Sequence, residues 1–333
     1  MVAKLKDIAD ATGVSISTVS RVLNGNAPIS EETRRKVLET ASQMNYHKRF
    51  DGKILSRLQN MAGFILPDTE SAYYGRLQHA ISECFFENNL DVISIATCFS
   101  HERTIRAIEH MSQIHVKCIV ILLDYVETIP KNILDAVHLT NIPTLFIVAQ
   151  YMPEFDYDCL YVDEKRGNTM AVDHLVHRGY RRIGFIGEYK TRNRCDIFLN
   201  VMKQYAIPVN RAFVRVGEIA GERGGYLLMR DVLSLKEIPD AVFCSYDQMA
   251  VGVIHAIYES GLRVPEDIAV IAFDDIPTAQ YFAGGITTIA TPFEDMASIA
   301  VRFLMKRIAQ PFGQPQQVAI KPSLIIRATT YKP

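Results

Sequence analysis

From residue 61 onward the chain repeats one pattern: a short, almost wholly apolar run, then a longer stretch whose apolar residues recur at helical spacing. The first runs are MAGFIL (61–66), DVISIA (91–96), CIVILL (118–123) and PTLFIV (143–148). A second series is LYVD (160–163), RIGFIG (182–187), AFVRV (212–216), AVFC (241–244) and AVIAF (269–273). Such runs read as strands. The stretches near 74–88, 101–113, 130–140, 166–178, 194–205, 223–235 and 247–260 read as amphipathic helices. Continuous apolar strands separated by helices predict parallel sheets covered on both faces, an α/β body of two doubly wound subdomains. A helix at 294–309 and a last strand, SLIIRA (323–328), return to them.

Residues 1–46 follow a different pattern, that of three short helices. Leu5, Ile8 and Ala9 share a face, and Gly13 supplies the positive φ of a tight turn. Ser15 is placed to cap a second helix, ISTVSRVLN, whose Val19, Val22 and Leu23 point inward while Ile16, Ser17, Ser20, Arg21 and Asn24 point elsewhere. Ser30 caps a third, EETRRKVLETASQMN, with Val37, Leu38, Ala41 and Met44 expected to close a small core. Two short helices about a glycine turn describe a helix-turn-helix, whose second helix enters the major groove. Ser17, Thr18 and Ser20 are short enough to bond base edges or phosphates there, and Arg21 can pair bidentately with guanine. On the residues alone, a three-helix bundle with an ordinary solvated face fits as well.

Charge favours the first reading. Residues 1–60 carry ten Lys/Arg, Lys6 among them, against six Asp/Glu, although the whole chain has a net charge of −1. A basic head on an acidic body suits a nucleic-acid-binding module joined to a regulatory domain. The run LKDIADATGVSISTVSRVLNG, followed by ETRRKVLETASQMNY, resembles the N-terminal signature of the lactose/galactose repressor family. The resemblance continues through HLVHRGYRRIGFIG, AVFCSYDQMAVGVIHAIYESGLRVPEDIAVIAFDD and ITTI. It implies a helix-turn-helix head (1–46), a hinge (47–60) and a periplasmic-binding-protein-like body (61–333). The body's chain is expected to cross between subdomains near 160, 288 and 321. The N-subdomain then comprises about 61–160 and 289–320, and the C-subdomain about 161–288 and 321–333. By the same resemblance Lys6, Ser15 to Thr18, Ser20, Arg21 and Asn24 face DNA, with Ile16 and Ser17 at the base-discriminating positions.

The hinge departs from the family. It reads Tyr46-His47-Lys48-Arg49-Phe50-Asp51-Gly52-Lys53-Ile54-Leu55, without the usual Pro-Asn start. Leu55 falls at the minor-groove wedge position, and Lys53 is one of four basic residues suited to phosphates. A plain basic linker is the other reading.

For the body, ligands are expected at the carboxyl ends of the strands, between subdomains. Asp274 matches the family's ligand-binding aspartate; Asp163, Tyr73, Tyr74 and Arg192 fall where relatives contact ligand. Asp274 could equally cap a helix, and the tyrosines could be packing. Three positions are atypical. Phe198 stands where relatives carry an effector-binding Arg, with Arg194 one turn earlier as a substitute. Ile219 replaces a stacking ring, and Tyr246 a small polar residue. The effector is therefore expected to be a sugar, a sugar derivative or another small metabolite.

The remaining sequence mainly excludes. At 333 residues with 48% hydrophobic composition the chain has ample core for two or three domains. No apolar run approaches the roughly 18 residues of a membrane span, and the N-terminus lacks a secretory h-region. That argues for a cytoplasmic protein and against the rival reading, a solute-binding protein with the same body. The six cysteines, scattered without C-x-x-C, read as reduced thiols. His174-x-x-His177 lacks the Glu of a zinc-protease motif and reads as a pair of partly exposed helix histidines. No nucleophile elbow, Walker loop or dinucleotide fingerprint appears. No enzyme, metal or cofactor is expected. The expected partners are a roughly palindromic double-stranded operator, a small-molecule effector and a second copy of the chain, without a membrane. The ending IIRATTYKP carries no leucine heptads, so a dimer is expected, repressing a carbohydrate operon or regulating non-sugar metabolism.

Overall fold

The computed structural model describes residues 5–24, 29–44, 60–123, 129–311 and 313–331, the side chains of 24, 42 and 43 excepted. The chain divides into two compact units, Met1–Leu58 and Gln59–Pro333. Lys53 and Leu55, the hinge residues expected to contact DNA, lie outside the described residues.

In the first unit, helices α1 (Leu5–Thr12), α2 (Ile16–Asn24) and α3 (Glu31–Gln43) enclose a core of Ile8, Ala9, Val19, Val22, Val37 and Ala41. Gly13, at φ +73°, makes the turn between α1 and α2. Leu38 and Met44 do not join that core; they are 47% and 37% exposed. The inward stripe of α3 is the i, i+4 pair Val37 and Ala41, which suffices to cover two short helices. Leu38 sits one position around the helix, facing outward.

Among the described residues the second unit contains two six-stranded sheets. The first is ordered β11-β5-β4-β3-β1-β2, from β1 (Met61–Leu66), β2 (Asp91–Ala96), β3 (Cys118–Leu123), β4 (Thr144–Val148), β5 (Cys159–Val162) and β11 (Gln317–Ile320). The second is ordered β12-β10-β9-β8-β6-β7, from β6 (Ile183–Glu188), β7 (Val214–Gly217), β8 (Ala241–Cys244), β9 (Ala269–Asp274), β10 (Thr287–Ala290) and β12 (Ser323–Ile325). Pairing is parallel, with Phe64 beside Val120 and Phe185 beside Phe243, except where β12 runs antiparallel to β10. Among the described residues the α-helices of this unit are α4 (Ala72–Glu87), α5 (His101–Gln113), α6 (Lys131–Thr140), α7 (Glu164–His177), α8 (Arg192–Gln204), α9 (Gly221–Leu233), α10 (Asp247–Glu259), α11 (Pro277–Tyr281) and α12 (Phe293–Ala309).

The topology corrects the grouping of the strands: LYVD opens the expected second series but lies in the first sheet, paired with β4 and β11. The chain leaves that sheet after Val162, and since β10 completes the second sheet the next crossing follows Ala290, close to the expected 160 and 288. Each strand finishes its sheet before the chain departs. The third crossing lies between Ile320 and Ser323. β10 and β11 were not foreseen as strands, being short and rich in Thr or Gln, and SLIIRA is a strand only to Ile325.

Both faces of both sheets are covered. One core joins inward-facing residues of both sheets, including Phe64, Phe185, Phe243 and Phe273; separate clusters fill the outer faces. Near the C-terminus, Thr329 Oγ1 donates to the Val270 carbonyl at 2.7 Å, and His174 Nε2 bonds Thr330 Oγ1 at 2.8 Å. His174 is therefore buried rather than partly exposed, and burial lowers its pKa; His177 is exposed beside Asp173. All six cysteines are free, and burial pushes the Cys118 and Cys159 thiols up to about 12. Among the described residues no helix is long and apolar enough to cross a membrane.

Candidate functional site

Two surfaces carry the chemistry, one in each unit. In the first, Ser15 caps α2 as expected: its Oγ accepts from the Thr18 backbone N–H at 3.1 Å and bonds Ser17 Oγ and Thr18 Oγ1 at 2.7 and 2.8 Å. With Val19 and Val22 buried, Ile16, Ser17 and Arg21 are left exposed, Ile16 by 48%. A 48% exposed isoleucine beside a serine and a guanidinium on one short helix is an unusual surface for water. It suits a groove, where the apolar group meets thymine methyls and the guanidinium meets guanine. Thr18 and Ser20 are half-buried, and Lys6 is exposed on α1. Asn24 ends α2, its side chain outside the description.

In the second unit, a cavity of about 400 Å³ opens where strands of both sheets end at their carboxyl termini. The loop and helix after β1 contribute Asp68, Glu70, Tyr73 and Tyr74, and the turn after β2 contributes Phe99. Glu164 follows β5, Glu188 ends β6, and Lys190, Asn193 and Arg194 follow it. Glu222 begins α9, Tyr246 and Asp247 begin α10, and Asp274 ends β9.

Arg194 organises this wall. The first turn of α8 carries it inward, where a cation near a helix N-terminus needs compensation. Its Nε donates to Glu164 Oε1 at 2.8 Å and its Nη1 to the Ser245 carbonyl at 2.6 Å; Nη2 lies 3.4 Å from Asp274 Oδ1. The guanidinium also sits over the Phe273 ring, 4.2 Å from its centroid. Asn193 donates to the second oxygen of Glu164. Burial pushes the Asp274 carboxyl up to about 6, although Arg194 beside it pulls the other way. Asp274 holds a φ of +106°, a conformation that costs a non-glycine residue about 1–3 kcal/mol and persists only where surroundings impose it.

Asp247 accepts from Thr288 Oγ1 at 2.7 Å and from the Ile276 N–H at 2.8 Å, fixing the loop after β9 against β10. Its carboxyl is raised well above the ordinary range, chiefly by burial and then by Asp274. The Tyr246 hydroxyl accepts from the Gly221 N–H at 2.8 Å, and burial raises its pKa. Carboxylates, tyrosine hydroxyls and an amide converging on one cavity can bind a small molecule rich in hydroxyl groups.

Both units resemble known proteins. Residues 4–48 match the family described as bacterial regulatory proteins, lacI family, and residues 172–330 match a periplasmic binding protein-like domain. The HTH-type transcriptional repressor PurR of Photorhabdus laumondii is 30% identical over 332 residues, covering 98% of this chain and 96% of that protein. The chain belongs to the lacI family. The probable HTH-type transcriptional repressor ExuR of Bacillus subtilis is 28% identical over 331 residues, covering 97% of each chain. The ribose operon repressor of Escherichia coli K12 is 29% identical, covering 98% of this chain and 99% of that one. The fold matches a crystal structure of the lac repressor dimer bound to operator and the anti-inducer ONPF, with a TM-score of 0.74, 23% identity and complete coverage of both chains.

In this lacI-family regulator the cavity gathers five of the eight anticipated effector residues: Tyr73, Tyr74, Arg194, Tyr246 and Asp274. Three are corrected. Asp163 caps α7, accepting from the Arg166 N–H at 3.0 Å, so the residue that reaches the cavity is its neighbour Glu164. Arg192, the first residue of α8, is exposed and lies outside the lining. Phe198 is wholly buried, its ring 5.4 Å from Phe185 and 6.1 Å from Phe243. A phenyl ring gains more among aromatics than at a polar wall, and the guanidinium of α8 that lines the cavity is that of Arg194. Glu164, Glu188, Lys190, Asn193 and Glu222 were missed. Glu188 directly follows RIGFIG, and applying the carboxyl-end rule to every strand would have found it.

Proposed function

We propose that this lacI-family protein represses a carbohydrate-utilisation operon as a homodimer, reading a roughly palindromic operator with α2, and that a hydroxylated effector in the body's cavity controls operator binding. The observation that carries the reading is the outward face of α2, where Ile16, Ser17 and Arg21 stand exposed on a serine-capped helix. Two copies of that helix would meet successive major grooves, which is why the operator should be a near-palindrome. The strained Asp274 and the polar groups around it supply the effector half, since backbone strain gathers at ligand clamps.

A gel shift on the DNA upstream of the protein's own operon tests the DNA half. The intact chain should retard that duplex at moderate salt, and excess unrelated duplex should not compete. Equal retention of both duplexes would remove the assignment. For the cavity, a sugar that weakens or strengthens the shift should lose its effect in Asp274→Asn; persistence of the effect would place its site elsewhere.

A further inference from the structure

The cavity's charge is lopsided. Seven carboxyl side chains line it, against the two cations Lys190 and Arg194. Most of the Arg194 N–H groups are already directed at protein acceptors. Its Nε is held by Glu164, its Nη1 by the Ser245 carbonyl, and its outer nitrogens face Asp274. A carboxylate or phosphate entering here would meet excess negative charge and no open guanidinium fork.

The second cation shows what the cavity accepts. Phe99 follows β2 and Lys190 follows β6, so they belong to different sheets, and the Lys190 ammonium lies 3.4 Å from the centre of the Phe99 ring. Tyr74 packs edge-on to the same ring at 6.4 Å. Lys190 is exposed as a residue and Phe99 is 38% exposed, so this pair stands at the cavity's open side. An aromatic face in a cavity lined by carboxylates is an environment suited to ammonium groups. Glu70 and Glu222, both exposed on the lining, make no ion pair among the described residues.

We propose that the ligand of this cavity is a small hydroxylated molecule bearing a protonated amine, such as an amino sugar, whose ammonium takes the place of Lys190 on the Phe99 ring among the carboxylates. The proposal rests on the assignment of the cavity as the effector site and adds the ligand's charge. The hydroxyl groups meet Asp274 and Tyr246, and the amine meets Phe99, Glu70 and Glu222. Lys190 then acts as an internal competitor that swings out when ligand enters.

The test uses the full chain and three matched series in calorimetry and thermal shift. The first comprises glucosamine, galactosamine and mannosamine; the second, glucose, galactose and N-acetylglucosamine; the third, glucuronate, galacturonate and glucose 6-phosphate. An amine-bearing member should bind best. Lys190→Gln should tighten it by removing the competitor, and Glu70→Gln with Glu222→Gln should weaken it about two- to five-fold, as for exposed charge pairs. The proposal is overturned if a neutral or anionic member binds more tightly than its amine counterpart, if no amine binds, or if Lys190→Gln weakens binding. A neutral binder lost in Asp274→Asn would sink the charge inference while leaving the cavity as the effector site. A binder indifferent to Asp274→Asn and to Glu222→Gln would sink both.

Discussion

Arg21 and Arg194 carry the same side chain into opposite settings. Arg21 is exposed on α2, where its loss leaves no buried partner behind. Arg21→Ala should therefore spare stability and weaken operator binding by about 1–3 kcal/mol, the worth of one bidentate guanine contact, as gel-shift titration would measure. Arg194 is 9% exposed, between two carboxylates of 9% and 5% exposure. Removing it strands buried charge. Arg194→Met should lower the urea midpoint by the equivalent of about 3–5 kcal/mol, the usual cost of breaking a buried pair. Asp274 adds a pH signature. Its folded pKa, about 6, lies above the ordinary carboxylate value, so the folded state holds this proton more tightly than the unfolded chain. Its contribution to stability is full at low pH and is lost as pH rises through about 6. Asp274→Asn should flatten the stability profile between about pH 4 and 6, measured by urea melts; an unchanged slope would contradict the burial argument.

At the scale of elements, the packing of α9 against α10 decides where Tyr246 and Glu222 stand. A Cβ added to Gly225 or Gly252 would run into backbone at Met249 or Glu222 respectively, so these helices approach more closely than side chains permit. Gly252→Ala should destabilise the body by about 1–3 kcal/mol or more and disturb the Gly221–Tyr246 hydrogen bond, read as a lower melting temperature with weaker effector binding. The strands of the central sheets were legible because their apolar runs are continuous, and Ser15 because capping is a local rule. β10 and β11 escaped because TTIA and QVAI become strands only by pairing with β9 and β5. Asp163 and Glu164 show the limit of site reading. Both follow the same strand, and which one reaches the cavity depends on where α7 starts, a difference of one residue. Phe198 misled for another reason. It was placed by resemblance alone; its ring packs among aromatics, and the side chain of α8 that lines the cavity is Arg194, one turn earlier.

At the scale of the whole body, three crossings join the two sheets, and among the described residues contacts near the cavity link them as well. Arg76 on α4 donates to the Asp275 carbonyl at 3.4 Å, and Lys190 covers Phe99. A ligand that displaces the second of these contacts changes the relation of the sheets, the kind of hinged two-state element by which a site communicates. Such coupling is commonly worth about 1–3 kcal/mol, or roughly 5- to 150-fold in affinity, and it is reciprocal. Operator DNA should therefore change effector affinity by the same factor that effector changes operator affinity, which paired calorimetric titrations can check. The most direct measurement is fluorescence anisotropy of the labelled upstream duplex, titrated with the wild-type chain and with Asp274→Asn, each with and without saturating effector. The operator Kd should move at least about 5-fold with effector in the wild type and by less than about 2-fold in Asp274→Asn. An equal shift in both proteins, or specific operator binding that no cavity ligand alters, would contradict the account.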